Sequence, residues 1–218
     1  METKHQVHNL IILDESGSME SVKHSIIQGF NEIVQTVKGI ATQYPEQEHY
    51  ISLISFNGLG QKILHLIDPV EKLEKIDDKR YSPDASTPLF DAMGFAFAKL
   101  KQLLNTTEKY NVLVTILTDG EENASKEYSG QAIRILIDEL KLQGWTFTYI
   151  GADHDVEKFA TSISITNTLV FEKNEAAIQE MFVKESSARQ RYSENIRMNF
   201  ETNSDFYKED KPNRPKRK

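Results

Sequence analysis

The residues of this sequence that are best suited to chemistry follow an apolar run near the N-terminus. Residues 10–13, Leu-Ile-Ile-Leu, precede Asp14, Ser16 and Ser18, which are one carboxylate and two hydroxyls spaced two residues apart. A serine hydroxyl is neither an acid nor a base near neutral pH without an activating partner, so the pattern suits proton transfer poorly. It suits a hard divalent cation, because such ions prefer oxygen ligands. Its place after a buried strand strengthens this interpretation, since open α/β sheets bind ligands at the carboxyl ends of their strands.

Two further segments supply oxygen donors of the same kind. Thr87 precedes Pro88 at the beginning of a helical pattern. Asp119 and Gly120 follow a second continuous apolar run, at residues 112–117. Together the three segments predict a metal site made of five residues: Asp14, Ser16, Ser18, Thr87 and Asp119.

This three-part pattern resembles the metal-ion-dependent adhesion site of the von Willebrand factor type A (vWA) family. That site is built from Asp-x-Ser-x-Ser, a distant Thr and a more distant Asp, and all of these positions match in order. The contexts Thr-Pro-Leu-x-Asp-Ala at 87–92 and Leu-Thr-Asp-Gly-Glu-Glu-Asn at 117–123 look like the intracellular bacterial branch. That branch includes proteins of tellurite-resistance and stress operons. The resemblance covers residues 7–172.

The resemblance implies that the hydroxyls coordinate the cation directly, while the aspartates act largely through hydrogen bonds or waters. A cation held mainly by neutral ligands keeps positive charge and an open position, which an Asp or Glu of a partner can fill. Mg²⁺ suits the ligand set because it keeps waters and takes one or two carboxylates, and Mn²⁺ fits the same oxygen donors. We therefore expect a metal-dependent module that binds an acidic group of a protein partner, with no catalytic residues and no small-molecule substrate.

Each site residue also has a structural alternative. The residues of the first loop could cap the helix expected to begin near Ser21, and Thr87 could cap the next helix. Asp119 and Gly120 could form an ordinary turn after a strand. Residues 153–155, Asp-His-Asp, follow the fifth predicted strand and look like a metal triad, although Asp commonly caps helices.

Two other functions compete with a binding module. A phosphoryl-transfer enzyme of the haloacid-dehalogenase type needs a second Asp two residues after the first, where this chain has Ser16. The chain lacks a nucleophile elbow and a P-loop, and Glu121 and Glu122 are the nearby candidates for the general base of a metal-dependent hydrolase. The other alternative is a regulatory protein of a stress or tellurite-resistance system, in which phosphorylation of Ser16, Ser18 or Thr87 adds negative charge to the metal shell.

The composition is that of an ordinary globular domain of 218 residues, with 39% hydrophobic and 27% charged residues. No apolar stretch approaches the roughly 18 residues of a membrane span, and the N-terminus lacks the apolar core of a signal peptide. The absence of cysteine excludes disulfides and thiolate metal sites. We expect a cytoplasmic protein, and the net charge of −7 argues against general nucleic-acid binding.

The alternation of apolar strand-like runs with amphipathic helical patterns predicts a doubly wound α/β fold. We expect a Rossmann-like, mostly parallel six-stranded sheet with one antiparallel edge strand and helices on both faces. Strands are predicted at residues 7–13, 50–56, 62–67, 111–117, 145–150 and 168–171. Helices are predicted at residues 22–40, 88–104, 130–142 and 156–163 and after Asn174. The turn at 57–60 predicts the hairpin that supplies the antiparallel strand.

The end of the chain differs in composition from the rest. We expect residues 1–200 to form one vWA-like domain that includes the C-terminal helix, and residues 201–218 to form a disordered basic tail. Residues 211–218 carry five positive charges and two prolines. They could bind an acidic partner or nucleic acid, or they could simply be solvated.

Overall fold

Six strands rich in apolar residues form one central sheet. The computed structural model describes residues 4–105, 107, 109–152 and 155–208. The strands are β1 (His5–Asp14), β2 (Gln47–Asn57), β3 (Gly60–Pro69), β4 (Tyr110–Leu117), β5 (Trp145–Ala152) and β6 (Asn167–Phe171). Their order across the sheet is β3-β2-β1-β4-β5-β6.

All neighbouring strands in the sheet are parallel apart from β2 and β3. The antiparallel pair follows from the tight turn between Asn57 and Gly60. Gly60 has a φ of +136°, a backbone conformation that favours glycine because a side chain would be strained there. The predicted hairpin, with its single antiparallel edge strand, is therefore confirmed.

Within the described part of the chain, five α-helices cover both faces of the sheet. They are α1 (Lys23–Gln43), α2 (Leu89–Leu104), α3 (Gly130–Lys141), α4 (Val156–Ser162) and α5 (Glu175–Arg197). Helices α2, α3 and α4 pack with Leu10 and Ile12 of β1 on one face, whereas α1 and α5 pack with Ile11 and Leu13 on the other. Because successive strand residues point to opposite faces and both faces are buried, β1 has a continuous apolar sequence. The predicted doubly wound architecture is confirmed.

The topology of the sheet explains how distant loops meet. The chain leaves β1 towards β2 on one side, and β4 lies on the other side of β1. Leu13 of β1 is in register with Leu117 of β4, so both strands end side by side. Ligands of open α/β sheets bind at such a switch point, outside the carboxyl ends of the strands. Within the described residues, no helix is both long and apolar enough to cross a membrane.

Residues 201–208, the first part of the predicted tail, contact the rest of the domain. Phe206 is 6% exposed and makes an edge contact with the ring of Tyr192 in α5. The N–H of Phe206 donates to Asn167 Oδ1 at 3.1 Å, which ties the segment to β6. These contacts have no signal in the sequence, because an isolated aromatic residue has no periodicity and its partners belong to other elements. The disorder of the tail stays a prediction. Residues 209–218 lie outside the described part of the chain.

Phe206→Ala is expected to lower the free energy of unfolding by about 3 kcal/mol, because it leaves a cavity beside α5 and the sheet. Urea denaturation at constant pH measures this loss. Lys208→Ala is the matched control, since Lys208 is exposed, and it should change the value by less than about 0.5 kcal/mol. Small, equal effects of both substitutions would contradict the packing of this segment.

Candidate functional site

The three segments that carry the predicted site residues meet at the carboxyl edge of the sheet. Asp14 is the last residue of β1, and Asp119 follows β4 by two residues. Ser16 immediately precedes a short 3-10 helix, Gly17–Val22, in which Ser18 is the second residue. Thr87 lies two residues before the beginning of α2. Neighbouring parallel strands therefore bring together residues that are about a hundred positions apart in the sequence.

Three hydroxyl groups and one carboxylate lie together at this edge of the sheet. The Oγ atoms of Ser16 and Ser18 lie 3.1 Å apart, and the Ser18 hydroxyl donates to Asp119 Oδ1 at 2.6 Å. A methyl group added at Gly120 would lie 3.7 Å from Thr87 Oγ1 and 3.8 Å from Ser18 Oγ. The Thr87 hydroxyl thus faces the same small space. The structure brings these side chains together, and their use as metal ligands stays a prediction.

Asp14 is fully buried, and protein donors engage both of its carboxylate oxygens. Oδ1 accepts the N–H of Ser16 at 2.7 Å, and Oδ2 accepts the hydroxyl of Thr118 at 2.5 Å. Burial raises the pKa of Asp14 to about 6, and the charge of Asp119 adds to this rise, while the hydrogen bonds from Thr118 and Ser16 oppose it. Asp14 therefore fixes the beginning of the loop that carries the two serines.

Thr118 and Glu15 are site-forming residues that the sequence interpretation missed. The Glu15 carboxylate is buried and accepts hydrogen bonds from Lys62 Nζ at 2.8 Å, Ser55 Oγ at 2.6 Å and the N–H of Ser82 at 2.6 Å. These contacts fix the loop that carries the two serines. The sequence contains a local signal for Thr118, because this residue directly precedes Asp119, the carboxylate after the second apolar run. For Glu15 the only signal is its position beside Asp14, because its hydrogen-bond partners lie far away in the sequence.

The helix-capping alternatives are not observed for the described residues. The N-cap positions of the 3-10 helix and of α2 are Ser16 and Pro88, and neither makes a side-chain capping hydrogen bond. Pro88, predicted to be the first helical residue, precedes the helix by one position. The first turn of α2 is instead capped by a distant residue, since Glu122 Oε2 accepts the N–H of Phe90 at 2.9 Å.

The alternative metal triad at 153–155 is described only at its last residue. Asp155 caps α4, with its side chain accepting the N–H of Lys158 at 3.3 Å. This confirms the capping interpretation for Asp155. Asp153 and His154 lie outside the described residues.

Glu122 is engaged in structure and is poorly placed to act as a general base. Besides the bond from Phe90, its carboxylate accepts the N–H groups of Ala124 at 2.8 Å and Ser125 at 2.7 Å, and the Ser125 hydroxyl at 2.7 Å. A carboxylate that already accepts four hydrogen bonds from fixed donors has little capacity to take a proton from a substrate. The neighbouring Glu121 is exposed.

One carboxylate oxygen of the site lacks a hydrogen bond. Asp119 Oδ2 is buried and accepts no hydrogen bond of normal geometry from the described residues. Its close neighbour is the ammonium group of Lys173, 3.1 Å away, with which it forms an ion pair. Buried oxygens without a hydrogen bond are rare, and each requires an explanation. The ion pair with Lys173 therefore compensates the charge of this oxygen.

The residues present fit a hard divalent cation. Such ions prefer carboxylate, hydroxyl and water oxygens, which are the groups that converge here. In the described part of the chain, no three His, Asp or Glu side chains are placed to hold a metal ion. A cation at this edge would therefore depend on the hydroxyls of Ser16, Ser18 and Thr87 together with the aspartates.

Comparison with known proteins identifies the family. The model of the von Willebrand factor type A domain matches residues 10–185, which is most of the chain. The chain belongs to the von Willebrand factor type A domain family. The matched region contains every site residue named above and ends within α5, so the last turns of that helix and the segment 201–208 lie beyond it. No curated protein matches the sequence.

Solved structures share the vWA fold at low sequence identity. Proximal thread matrix protein 1 from the mussel byssus is 12% identical, with 85% of this chain and 46% of that chain covered and a TM-score of 0.54. The pilus adhesin SpaC from Lactobacillus rhamnosus GG is 15% identical (88% and 30% covered, TM-score 0.62). The domain of the type V pili tip protein Mfa5 from Porphyromonas gingivalis is 12% identical (84% and 96% covered, TM-score 0.52). This chain spans less than half the length of the first two, and these likenesses establish the fold alone.

Glu122→Ala is expected to lower the free energy of unfolding by about 2–3 kcal/mol, because it leaves partly buried N–H groups of α2 and of its own loop without acceptors. Glu121→Ala is the matched control and should change the value by less than about 0.5 kcal/mol, since Glu121 is exposed. Chemical denaturation of both variants measures the difference. A stable Glu122→Ala protein would contradict the structural role assigned to this carboxylate.

Proposed function

We propose that this vWA domain binds a protein partner through a divalent cation, Mg²⁺ or Mn²⁺, held by Asp14, Ser16, Ser18, Thr87 and Asp119. The observation that carries the proposal is the convergence of three hydroxyls and two carboxylates at the switch point of the sheet. The bound cation would supply positive charge and a coordination position for an external oxygen ligand.

The charges at the site favour an acidic ligand. Both oxygens of Asp14 already accept protein hydrogen bonds, so Asp119 is the carboxylate with an oxygen left for direct contact with a cation. The remaining ligands are neutral hydroxyls. Ser18 is exposed, whereas Ser16 and Thr87 are buried, so a partner would reach the site from the Ser18 side. An Asp or Glu side chain of the partner provides the negative charge and the oxygen that this site would need.

A binding role also agrees with the names of two structural neighbours. SpaC is a pilus adhesin and Mfa5 is a pilus tip protein, and both carry the vWA fold. For this chain we propose binding without catalysis, because Glu122 is fully engaged in hydrogen bonds. The cytoplasmic location and the link to stress or tellurite-resistance systems rest on the motif resemblance and stay predictions. Phosphorylation of the site would have to begin at Ser18, since Ser16 and Thr87 are buried.

Millimolar Mg²⁺ is expected to raise the melting temperature of the wild-type protein. A ligand that binds only the folded state stabilises it by about 1.4 kcal/mol at ten times its Kd. Thr87→Val is nearly isosteric, removes one hydroxyl ligand and should largely abolish the shift. Ser86→Ala, the control, removes the neighbouring exposed hydroxyl and should show the same shift in melting temperature as the wild type. Equal shifts in the wild type and in Thr87→Val would place the cation elsewhere.

Acidic peptides are expected to bind only when the cation is present. A peptide array with Asp or Glu at the central position, paired with the same peptides carrying Asn or Gln, tests this in Mg²⁺ and in EDTA. The carboxylate peptides should bind at least about tenfold more strongly than their amide pairs in Mg²⁺, because only they bring a charged ligand. Equal binding of acid and amide peptides, or binding that survives EDTA, would overturn recognition through a cation.

A further inference from the structure

Lys173 places a positive charge at the candidate metal site from outside the three motif segments. It lies in the short connection between β6 and α5, and its Nζ atom is 3.1 Å from Asp119 Oδ2. The Asp119 side chain is 0% exposed and that of Lys173 is 28% exposed. A buried carboxylate requires compensating charge, and the ammonium group provides it.

The ion pair occupies the Asp119 oxygen that accepts no hydrogen bond. Asp119 Oδ1 is engaged by the Ser18 hydroxyl, and Oδ2 faces Lys173 without a hydrogen bond. A divalent cation beside Oδ2 would lie close to the ammonium group, and like charges at such distances in a partly buried site repel strongly. Occupation of Asp119 by both groups at once would therefore cost free energy.

We propose that Lys173 acts as an internal cation that competes with the divalent ion for Asp119 and thereby sets the affinity of the site for metal. This inference rests on the function proposed above. The ion pair stabilises Asp119 while no metal is bound, and its loss is subtracted from the free energy of metal binding.

The local structure allows the side chain to move while the backbone stays in place. Asn174, the next residue, is the N-cap of α5, with its side chain accepting the N–H of Ala177 at 2.9 Å. The backbone beside Lys173 is thus fixed to the helix. The lysine side chain has four rotatable bonds and is already partly exposed. Its ammonium group can therefore move away from Asp119 towards solvent when a cation takes its place.

Calorimetric titration of Mg²⁺ into the wild type, Lys173→Met and Lys173→Arg tests the proposal. Met keeps the length of the side chain without its charge, and we expect it to tighten Mg²⁺ binding on the order of fivefold or more. Arg keeps the charge and should retain an affinity near that of the wild type. Lys184→Met is the matched control, because it removes the charge of an exposed ion pair on α5 and should leave the affinity unchanged.

A second measurement follows the lysine itself in the unmodified protein. Brief acetylation with acetic anhydride, read by mass spectrometry of peptides, reports how accessible each amine is. Saturating Mg²⁺ should increase the labelling rate of Lys173 several-fold, because the displaced ammonium group enters solvent. The labelling of Lys184 should stay constant.

The outcomes separate the inference from the proposed function. If Lys173→Met binds Mg²⁺ with an affinity equal to or weaker than that of the wild type, Lys173 does not compete with the metal ion. That outcome contradicts the inference and is still compatible with the proposed metal site. Unchanged labelling of Lys173 in a protein that binds Mg²⁺ overturns the inference as well. Absence of Mg²⁺ binding in both the wild type and Lys173→Met overturns the proposed function, and the inference with it.

Discussion

Two buried carboxylates at one edge of the sheet impose the constraint around which the site is built. Asp14 and Asp119 follow adjacent parallel strands, and burial deprives both of the water that normally stabilises their charge. The structure compensates each in a different way. Asp14 receives hydrogen bonds from the hydroxyl of Thr118 and the backbone of Ser16, whereas Asp119 receives one hydroxyl and the ammonium group of Lys173. Asp119 is the less completely satisfied of the two, since one of its oxygens accepts no hydrogen bond.

Acidic residues around the site serve mainly to hold its loops. Glu15 binds donors from three other segments, and Glu122 caps α2 from a distance. Asp91, in the first turn of α2, accepts the N–H groups of three successive residues, which are Lys126, Glu127 and Tyr128. Because these carboxylates fix the backbone, the hydroxyls of the site are held in place before any ligand arrives. Such preorganisation reduces the conformational entropy that binding must overcome.

The helix that follows Lys173 is itself anchored by a buried ion pair. Arg189 of α5 pairs with Glu185 at 2.8 Å and donates to Asn9 Oδ1 at 2.7 Å and to Thr115 Oγ1 at 2.6 Å. Asn9 and Thr115 belong to β1 and β4, the strands whose ends carry the two aspartates. A buried charge pair that is also hydrogen-bonded to the sheet favours one position of the helix over others, because breaking it would leave charges buried without partners.

The sequence by itself determined the elements, the fold class and the three segments that meet at the carboxyl edge. Continuous apolar runs predict buried parallel strands, and an oxygen donor after such a run predicts where the chain presents chemistry. Only the tertiary structure decided that Glu15 and Glu122 hold loops, that Lys173 lies against Asp119 and that Phe206 packs on α5. Each of these depends on contacts between residues far apart in sequence, whose distances are set by strand register and helix packing and leave no periodic pattern in the chain.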